Sequence, residues 1–334
     1  MYDALEIGLD WKGTLQTLSS VPGSKCSILI ETLLVNPDSS KRAILTLEET
    51  VLDSPMGKLV WGKRDGTDYL MKRPSSQRHA KQEAVIQWLC NKTLKEYSME
   101  AHCPQVFDIF KTSSGIWFSM TPIYKAPTLA VFLQSLTSWN TQTPANGIIL
   151  LKLLCQVATC CLILDRNIGF NHRDLKPDNI LVQTSKVSPI SAIIPKIGTI
   201  VIAESPLTSI VDFGFACLGP GKTPWIQSGD DVLSPFDACP RVGRDLFMIL
   251  VFLVWRPDLQ KSLVKEHFEF LKTSIHLTNE MLTLQNPSTW IYSLVTERRF
   301  QCLDLDPLKW LQSCSTTFPE IVSILDQPGS YTVA

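Results

Sequence analysis

The sequence predicts an α+β fold in two lobes, the first rich in β-strands and the second mainly helical. One observation is a series of short β-prone runs, separated by turn residues, that ends near residue 122. A second is the helical spacing of apolar residues from Thr128 onward. A third is size, because 334 residues with 45% hydrophobic content can bury a substantial core.

The first lobe is expected to be a sheet with one helix. Strands are predicted at residues 27–35, 43–51, 58–63, 68–72, 106–110 and 115–121. Residues 36–40 form a turn cluster, and Arg64-Asp65-Gly66 is a hairpin signal. Residues 76–91 carry apolar positions at helical spacing. The pattern changes from strand-rich to helical near residue 122, where the first lobe is expected to end.

The second lobe is expected to be built from buried helices. Helices are predicted at 128–136 and 145–164, and most of the tail from Arg244 to about Ile324 has a helical pattern. The apolar runs at 147–164 and 247–255 are too short or too interrupted for a membrane span, which favours core helices. A short strand is expected at 180–182, and the apolar runs at 190–195 and 199–203 around Gly198 predict an extra hairpin.

Composition restricts the classes of partner. The chain has 31 Lys+Arg and 32 Asp+Glu, so its net charge of -1 gives no reason to expect a nucleic acid or an anionic membrane. Ten cysteines occur without a C-x-x-C pair, several of them in apolar runs, which favours free thiols in a reducing compartment. The N-terminus lacks the pattern of a signal peptide, and the scattered histidines do not indicate a zinc site. An intracellular location, cytoplasmic or nuclear, is therefore expected.

Two motifs carry chemistry. Residues 172–179 read His-Arg-Asp-Leu-Lys-Pro-Asp-Asn, and residues 211–215 read Val-Asp-Phe-Gly-Phe. The octapeptide arises by chance in roughly one chain of this length in a hundred million. Both resemble the eukaryotic-type Ser/Thr protein kinases, with their H-R-D-L-x-x-x-N catalytic loop and D-F-G turn. The resemblance covers roughly residues 43–260 and implies a two-lobed kinase fold. It divides the chain into an N-terminal extension (1–42), an N-lobe (43–122) and a C-lobe (123–334) with an insertion at about 183–208. The implied activity is transfer of the γ-phosphate of ATP, with Mg²⁺, to Ser/Thr hydroxyls of protein substrates.

The resemblance assigns roles to the residues of these motifs. Asp174 is the expected catalytic acceptor of the substrate hydroxyl proton, and Lys176 contacts the transferring phosphate. Asn179 and Asp212 are the expected Mg²⁺ ligands. Structural support is expected from four further residues: His172, Arg173, Phe213 and Asp245. Arg173 is equally compatible with docking of a phosphorylated activation segment, for which Thr223 and Ser228 are candidate phosphosites.

The nucleotide is expected to contact residues of both lobes. Lys72 matches the lysine that holds the α- and β-phosphates, and Glu83 is the preferred helix glutamate to pair with it. Because Glu83 follows Lys72 by only eleven residues, Glu96 and Glu100 remain alternatives. Further ATP contacts are expected from Gly57 in the phosphate loop, Met120 at the hinge and Leu181 under the adenine.

Several positions depart from the kinase pattern. In the glycine-rich loop, Leu52 and Ser54 replace two of three glycines, and only Gly57 is retained. No Ala-Pro-Glu closes the activation segment, where Ser234-Pro235-Phe236 is the nearest substitute. Leu70 stands where the family has a small alanine. Such departures resemble kinases encoded by large DNA viruses, in which case the compartment is a host cell.

Two alternatives to an active protein kinase follow from these departures. The first is a pseudokinase that serves as a nucleotide-binding or scaffolding module, which the eroded loop favours. The presence of Lys72, Asp174, Asn179 and Asp212 argues against it. The second is a small-molecule kinase, which Leu175-Lys176-Pro177 makes the weaker alternative.

Overall fold

The fold is taken from a computed structural model of the chain. The structure describes residues 5–7, 42–43, 46–54, 57–64, 67–112, 115–136, 138–219, 226–227, 241–276 and 305–326. The strand expected at 27–35, the candidate phosphosites Thr223 and Ser228, and the segment Ser234–Phe236 lie outside the described residues.

The N-terminal part of the chain forms a seven-stranded antiparallel sheet and one long helix. The elements are β1 (Leu5–Ile7), β2 (Arg42–Ala43), β3 (Thr46–Ser54), β4 (Gly57–Arg64), β5 (Thr67–Pro74), α1 (Ala80–Lys95), β6 (Val106–Thr112) and β7 (Gly115–Met120). The strand order is β2-β1-β6-β7-β5-β4-β3. The strands expected at 58–63, 68–72, 106–110 and 115–121 are confirmed, with ends displaced by at most two residues. The strand expected at 43–51 is displaced to Thr46–Ser54.

Helix α1 begins four residues later than its apolar spacing predicts. Residues 76–79 form a turn in which the Ser76 hydroxyl lies 3.1 Å from His79 Nδ1. The Gln77 amide donates to the Pro74 carbonyl at 2.7 Å instead of pointing along the helix. These side chains satisfy groups outside the helix, so the helical backbone starts only at Ala80. The helix then continues to Lys95, beyond the expected end at residue 91.

The C-terminal part is mainly helical. In chain order its elements are α2 (Leu129–Ser135), α3 (Pro144–Ile168), β8 (Ile180–Ile194), β9 (Gly198–Ile210), β10 (Cys217–Leu218), β11 (Ile226–Gln227), α4 (Arg244–Val254), α5 (Pro257–Ser262), α6 (Lys265–Ser274), α7 (Pro307–Thr317) and β12 (Val322–Leu325). A short 3₁₀ helix, Glu100–His102, precedes β6, and another, Pro177–Asn179, precedes β8.

Helix α3 is the central helix of this part. The Thr143 hydroxyl accepts from the Asn146 amide, Pro144 occupies the first turn, and Gly169 ends the helix in the left-handed conformation. Within the described residues α3 is long and apolar enough to cross a membrane, but 83% of its most apolar window is buried inside the protein. Both apolar runs, now in α3 and α4, are buried core helices, as predicted.

The hairpin expected around Gly198 is present and is longer than predicted. Strands β8 and β9 form one long antiparallel hairpin. They pair from Ile180↔Ile210 at its base to Ile194↔Gly198 at its tip. Strand β12 adds to the outer side of β9, pairing Val322 with Ile202. The expectation of a helical tail is therefore wrong at Val322–Leu325, where a β-prone run finds the open edge of β9.

Cysteine chemistry agrees with the prediction at six positions and departs from it at one. The free and buried thiols are Cys90, Cys103, Cys155, Cys160, Cys161 and Cys314. Cys217 is disulfide-bonded, so the expectation of a free thiol is wrong there.

The architecture is the α+β fold in two parts that the sequence predicts. A sheet-rich part precedes a helical part in the chain. A single hydrophobic cluster joins α1 and the sheet residue Phe118 to α3 and α4. This shared core fixes the sheet relative to the segment between α3 and β8, which carries the catalytic motif.

Candidate active site

The predicted catalytic loop, residues 172–179, lies between α3 and β8 and is held by one buried carboxylate. Asp245, in the first turn of α4, accepts the backbone N–H of His172 at 2.7 Å and that of Arg173 at 2.9 Å. Both oxygens of the carboxylate are thereby satisfied, which allows its burial. Asp245 thus fixes the backbone of the two residues that precede Asp174, which is the supporting role expected of it.

Two residues of the site adopt a left-handed backbone that is unusual for residues with a side chain. Arg173 has φ +67° and Asp212 has φ +66°. Such conformations cost of order 1–2 kcal/mol and persist only where the surroundings impose them. At Arg173 this constraint includes the bond to Asp245, and the Arg173 guanidinium donates to the Phe215 carbonyl at 3.4 Å. The strain coincides with both predicted motifs.

Asp174, Lys176 and Asn179 form a compact group within the loop. Lys176 Nζ lies 2.8 Å from Asp174 Oδ2. Asn179 Nδ2 donates to Asp174 Oδ2 at 3.1 Å and to its backbone carbonyl at 2.8 Å. The 3₁₀ turn Pro177–Asn179 closes the loop so that residues five positions apart meet. The geometry orients the Asp174 carboxylate with two donors and places a cation beside it.

The turn that follows β9 brings Asp212 to the same place. The Val211 amide donates to the Asn179 carbonyl at 3.0 Å, and His172 Nε2 lies 3.0 Å from the Val211 carbonyl. The Phe213 ring packs against the rings of His172 and Phe170, with centroids 5.3 and 5.9 Å away. The predicted support residues His172 and Phe213 therefore join the two motifs through one aromatic contact.

Lys72 on β5 completes the site from the sheet side. Its Nζ lies 2.6 Å from Glu83 Oε1 on α1 and 2.7 Å from Asp212 Oδ1. The structure therefore brings Glu83 to Lys72. Glu96 is the C-cap of α1 and is exposed to solvent, and Glu100 is exposed in the following 3₁₀ helix. Neither alternative glutamate therefore pairs with Lys72.

Electrostatics in this group favour the charged forms of Lys72 and Asp212. Burial acts to lower the pKa of Lys72, but the carboxylates of Glu83 and Asp212 outweigh it and raise that pKa above its usual value. The Lys72 ammonium lowers the pKa of Asp212. Burial raises the pKa of Glu83, and the Lys72 ammonium opposes that change. Lys72 is consequently a fixed cation between the sheet, helix α1 and the turn that contains Asp212.

The donor set fits a magnesium ion bound together with phosphates. The Asn179 side-chain nitrogen donates to Asp174, and Asp212 Oδ1 accepts from Lys72. Among the described residues, neither Asn179 Oδ1 nor Asp212 Oδ2 has a hydrogen-bond or ion-pair partner. Amide and carboxylate oxygens are the ligands that Mg²⁺ prefers, and it commonly takes one or two of them plus substrate phosphates and water. The described residues hold no cluster of three His, Cys, Asp or Glu side chains suited to an all-protein metal cage.

The residues expected to contact the nucleotide lie on β4, β7 and β8. Gly57 begins β4 with φ +128°, and a Cβ there would lie 2.9 Å from the Arg73 carbonyl oxygen. Leu52 and Ser54, the other loop positions, lie on β3 of the same hairpin. Met120 ends β7 and is buried, whereas Leu181 lies half-buried on β8 beside Thr128. The contact of these positions with a nucleotide stays a prediction.

Sequence reasoning missed two buried polar residues of α1. Gln87 and Asn91 follow Glu83 at four-residue intervals and bond to backbone carbonyls outside the helix. The available signal was this spacing, because polar residues recurring every fourth position on an otherwise apolar face are uncommon unless they are bonded.

Comparisons with known proteins add little to the geometry. No protein-family model matches the chain. No curated protein matches it either. Among solved structures, the crystal structure of the kinase domain PF14_0431 is similar, with 12% identity and a TM-score of 0.40, over 79% of this chain and 91% of that domain. A likeness this remote shows neither the family nor the activity of this chain.

Proposed function

We propose that the protein is a serine/threonine protein kinase that uses ATP and Mg²⁺. The observation that carries the proposal is the position of Lys72, which contacts Glu83 and Asp212 at once, at 2.6 and 2.7 Å. This contact joins β5, α1 and the metal-binding turn. The proposed function needs those three parts in place together for phosphoryl transfer.

In this proposal each residue has a defined task. Magnesium neutralises developing charge on the phosphates when it is bound through Asn179 and Asp212. Lys72 holds the α- and β-phosphates, and Glu83 keeps the lysine in place. Asp174 accepts the proton of the substrate hydroxyl, while Lys176, 2.8 Å away, offers positive charge to the transferring phosphoryl group.

The assignment of serine and threonine as substrates rests on the catalytic loop. Lys176 stands two residues after Asp174, within Leu175-Lys176-Pro177, as in the Ser/Thr branch of the resembled family. The Lys176–Asp174 contact supports a role for that lysine at the reacting group.

The test is phosphate transfer from γ-labelled ATP with Mg²⁺ to generic Ser, Thr and Tyr peptides. Wild type is expected to label Ser or Thr peptides. Lys72→Met and Asp212→Asn are expected to reduce transfer by at least about a hundredfold, since each removes one part of the electrostatic machinery. If wild type transfers no more label than Asp212→Asn does, the proposal is wrong. Labelling of Tyr peptides alone would contradict the Ser/Thr assignment.

A nucleotide-binding module without transfer is the second candidate. The observation that favours it is the retention of Gly57 alone among the three glycine positions of the phosphate loop. A thermal-shift titration with Mg-ATP separates the two functions. Stabilisation of wild type together with absent transfer would support the module, whereas stabilisation with transfer supports the kinase.

A further inference from the structure

Helix α1 buries a stripe of three polar side chains. Glu83, Gln87 and Asn91 recur every fourth residue and are 3%, 2% and 8% exposed. This spacing places them on one face of the helix, one turn apart. Glu83 is explained by its pair with Lys72. The two amides need another explanation, because burying them costs free energy unless they are hydrogen-bonded.

Both amides anchor the helix to the segment 100–104, which contains the 3₁₀ helix before β6. Gln87 Nε2 donates to the Pro104 carbonyl at 2.9 Å and lies 3.4 Å from the sulfur of Met120. Asn91 Nδ2 donates to the Cys103 carbonyl at 2.6 Å and to the Glu100 carbonyl at 3.0 Å. These bonds run to backbone and to β7, so they fix both the rotation and the axial position of α1.

The segment 100–104 is in turn bonded to the strand that leads to Asp212. Ser209 Oγ donates to the Ala101 carbonyl at 2.7 Å. The Thr208 backbone N–H donates to Gln156 Oε1 on α3. The Thr208 hydroxyl oxygen lies 3.4 Å from His102 Nδ1. Ser209 precedes Asp212 by three residues. A continuous set of bonds therefore connects the helix that carries Glu83 with β9, the strand that leads to Asp212.

We propose that Gln87 is a positioning residue, which through its bonds to Pro104 and Met120 keeps Glu83 against Lys72. The inference rests on the proposed function and deepens it. Gln87 lies one turn after Glu83. Loss of its hydrogen bonds therefore allows this part of α1 to rotate or slide, which moves Glu83 away from Lys72. Asn91 reinforces the same register one turn further from the active site.

The test compares Gln87→Met with Ile86→Val in otherwise intact protein. Methionine keeps the length and flexibility of the glutamine side chain but lacks its amide donor. Ile86 is fully buried on the same helix, so Ile86→Val controls for a core change that spares the stripe. Two readouts are used: kcat/KM for ATP, and hydrogen exchange of the backbone amides from Glu83 to Asn91.

Each substitution is also made in Glu83→Gln protein to complete a double-mutant cycle. Gln87→Met alone is expected to lower kcat/KM by about tenfold to a hundredfold, the range for misplacing one group of an active site. In the Glu83→Gln background it is expected to add less than about twofold, because it acts through Glu83. Equal losses in both backgrounds, or a loss matched by Ile86→Val, would overturn the inference.

Hydrogen exchange keeps the inference testable if wild type transfers no phosphate. In that case the proposed function fails, and the exchange of α1 decides the positioning role. Faster exchange in Gln87→Met than in Ile86→Val supports the anchor. Identical exchange in the two variants refutes it.

Discussion

The carboxylate of Asp245 provides the sharpest prediction about how the catalytic loop is held. It accepts two backbone amides, those of His172 and Arg173, at 2.7 and 2.9 Å in a buried site. A buried amide left without an acceptor costs about 1–3 kcal/mol. Asp245→Ala removes both acceptors and is expected to lower the free energy of unfolding by about 2–6 kcal/mol. Asp245→Asn keeps one acceptor oxygen and is expected to cost about 1–3 kcal/mol.

Urea unfolding followed by far-UV circular dichroism measures these differences. Asp178→Asn is the matched control, since Asp178 lies in the same loop and is exposed. It is expected to change the free energy of unfolding by less than about 0.5 kcal/mol. The predicted order of stability is Asp178→Asn, then Asp245→Asn, then Asp245→Ala. If Asp245→Ala is as stable as the control, the carboxylate does not hold the loop.

Three further predictions concern other parts of the molecule. Glu83→Gln is expected to lower kcat/KM for ATP at least about tenfold, whereas the exposed Glu96→Gln stays within about twofold; equal losses would contradict the ion pair with Lys72. Burial lowers the pKa of His102 to about 4 from 6.5, so the folded state rejects a proton that the unfolded state binds, and stability falls as pH drops from 6.5 to 4. His102→Gln is expected to abolish about 3 kcal/mol of that decline in unfolding experiments across this range, and an unchanged decline refutes the assignment. Gly198→Ala is expected to lower the free energy of unfolding in urea by at least about 2 kcal/mol, because Gly198 has φ +124° and the alanine Cβ would overlap the Leu325 carbonyl. An unaltered unfolding midpoint would count against the pairing of β12 with β9.

The parts of the site that were predictable are contiguous in sequence. Asp174 and Asn179 belong to one octapeptide, and their contact follows from the turn that joins them. The buried helices α3 and α4 were predictable because apolar residues occupy several faces of each helix. Local patterns therefore carried both the helical core and the catalytic loop.

The parts that were not predictable depend on contacts between distant segments. Strand β12 pairs with β9 across more than a hundred residues, and no local pattern indicates that partner. From sequence, the partner of Lys72 could have been Glu83, Glu96 or Glu100, since only the packing of α1 decides which of them faces the sheet. The hydrogen bond from Gln87 to the Pro104 carbonyl likewise joins segments that local patterns do not relate.

The most direct test of the central claim is single-turnover transfer from γ-labelled ATP with Mg²⁺, comparing wild type, Asp174→Asn and Asp178→Asn. The two variants make the same chemical change four residues apart in one loop. The proposed mechanism predicts that Asp174→Asn loses at least about a hundredfold in rate while Asp178→Asn stays within about threefold of wild type. Equal rates for wild type and Asp174→Asn would contradict the assignment of this site to phosphoryl transfer.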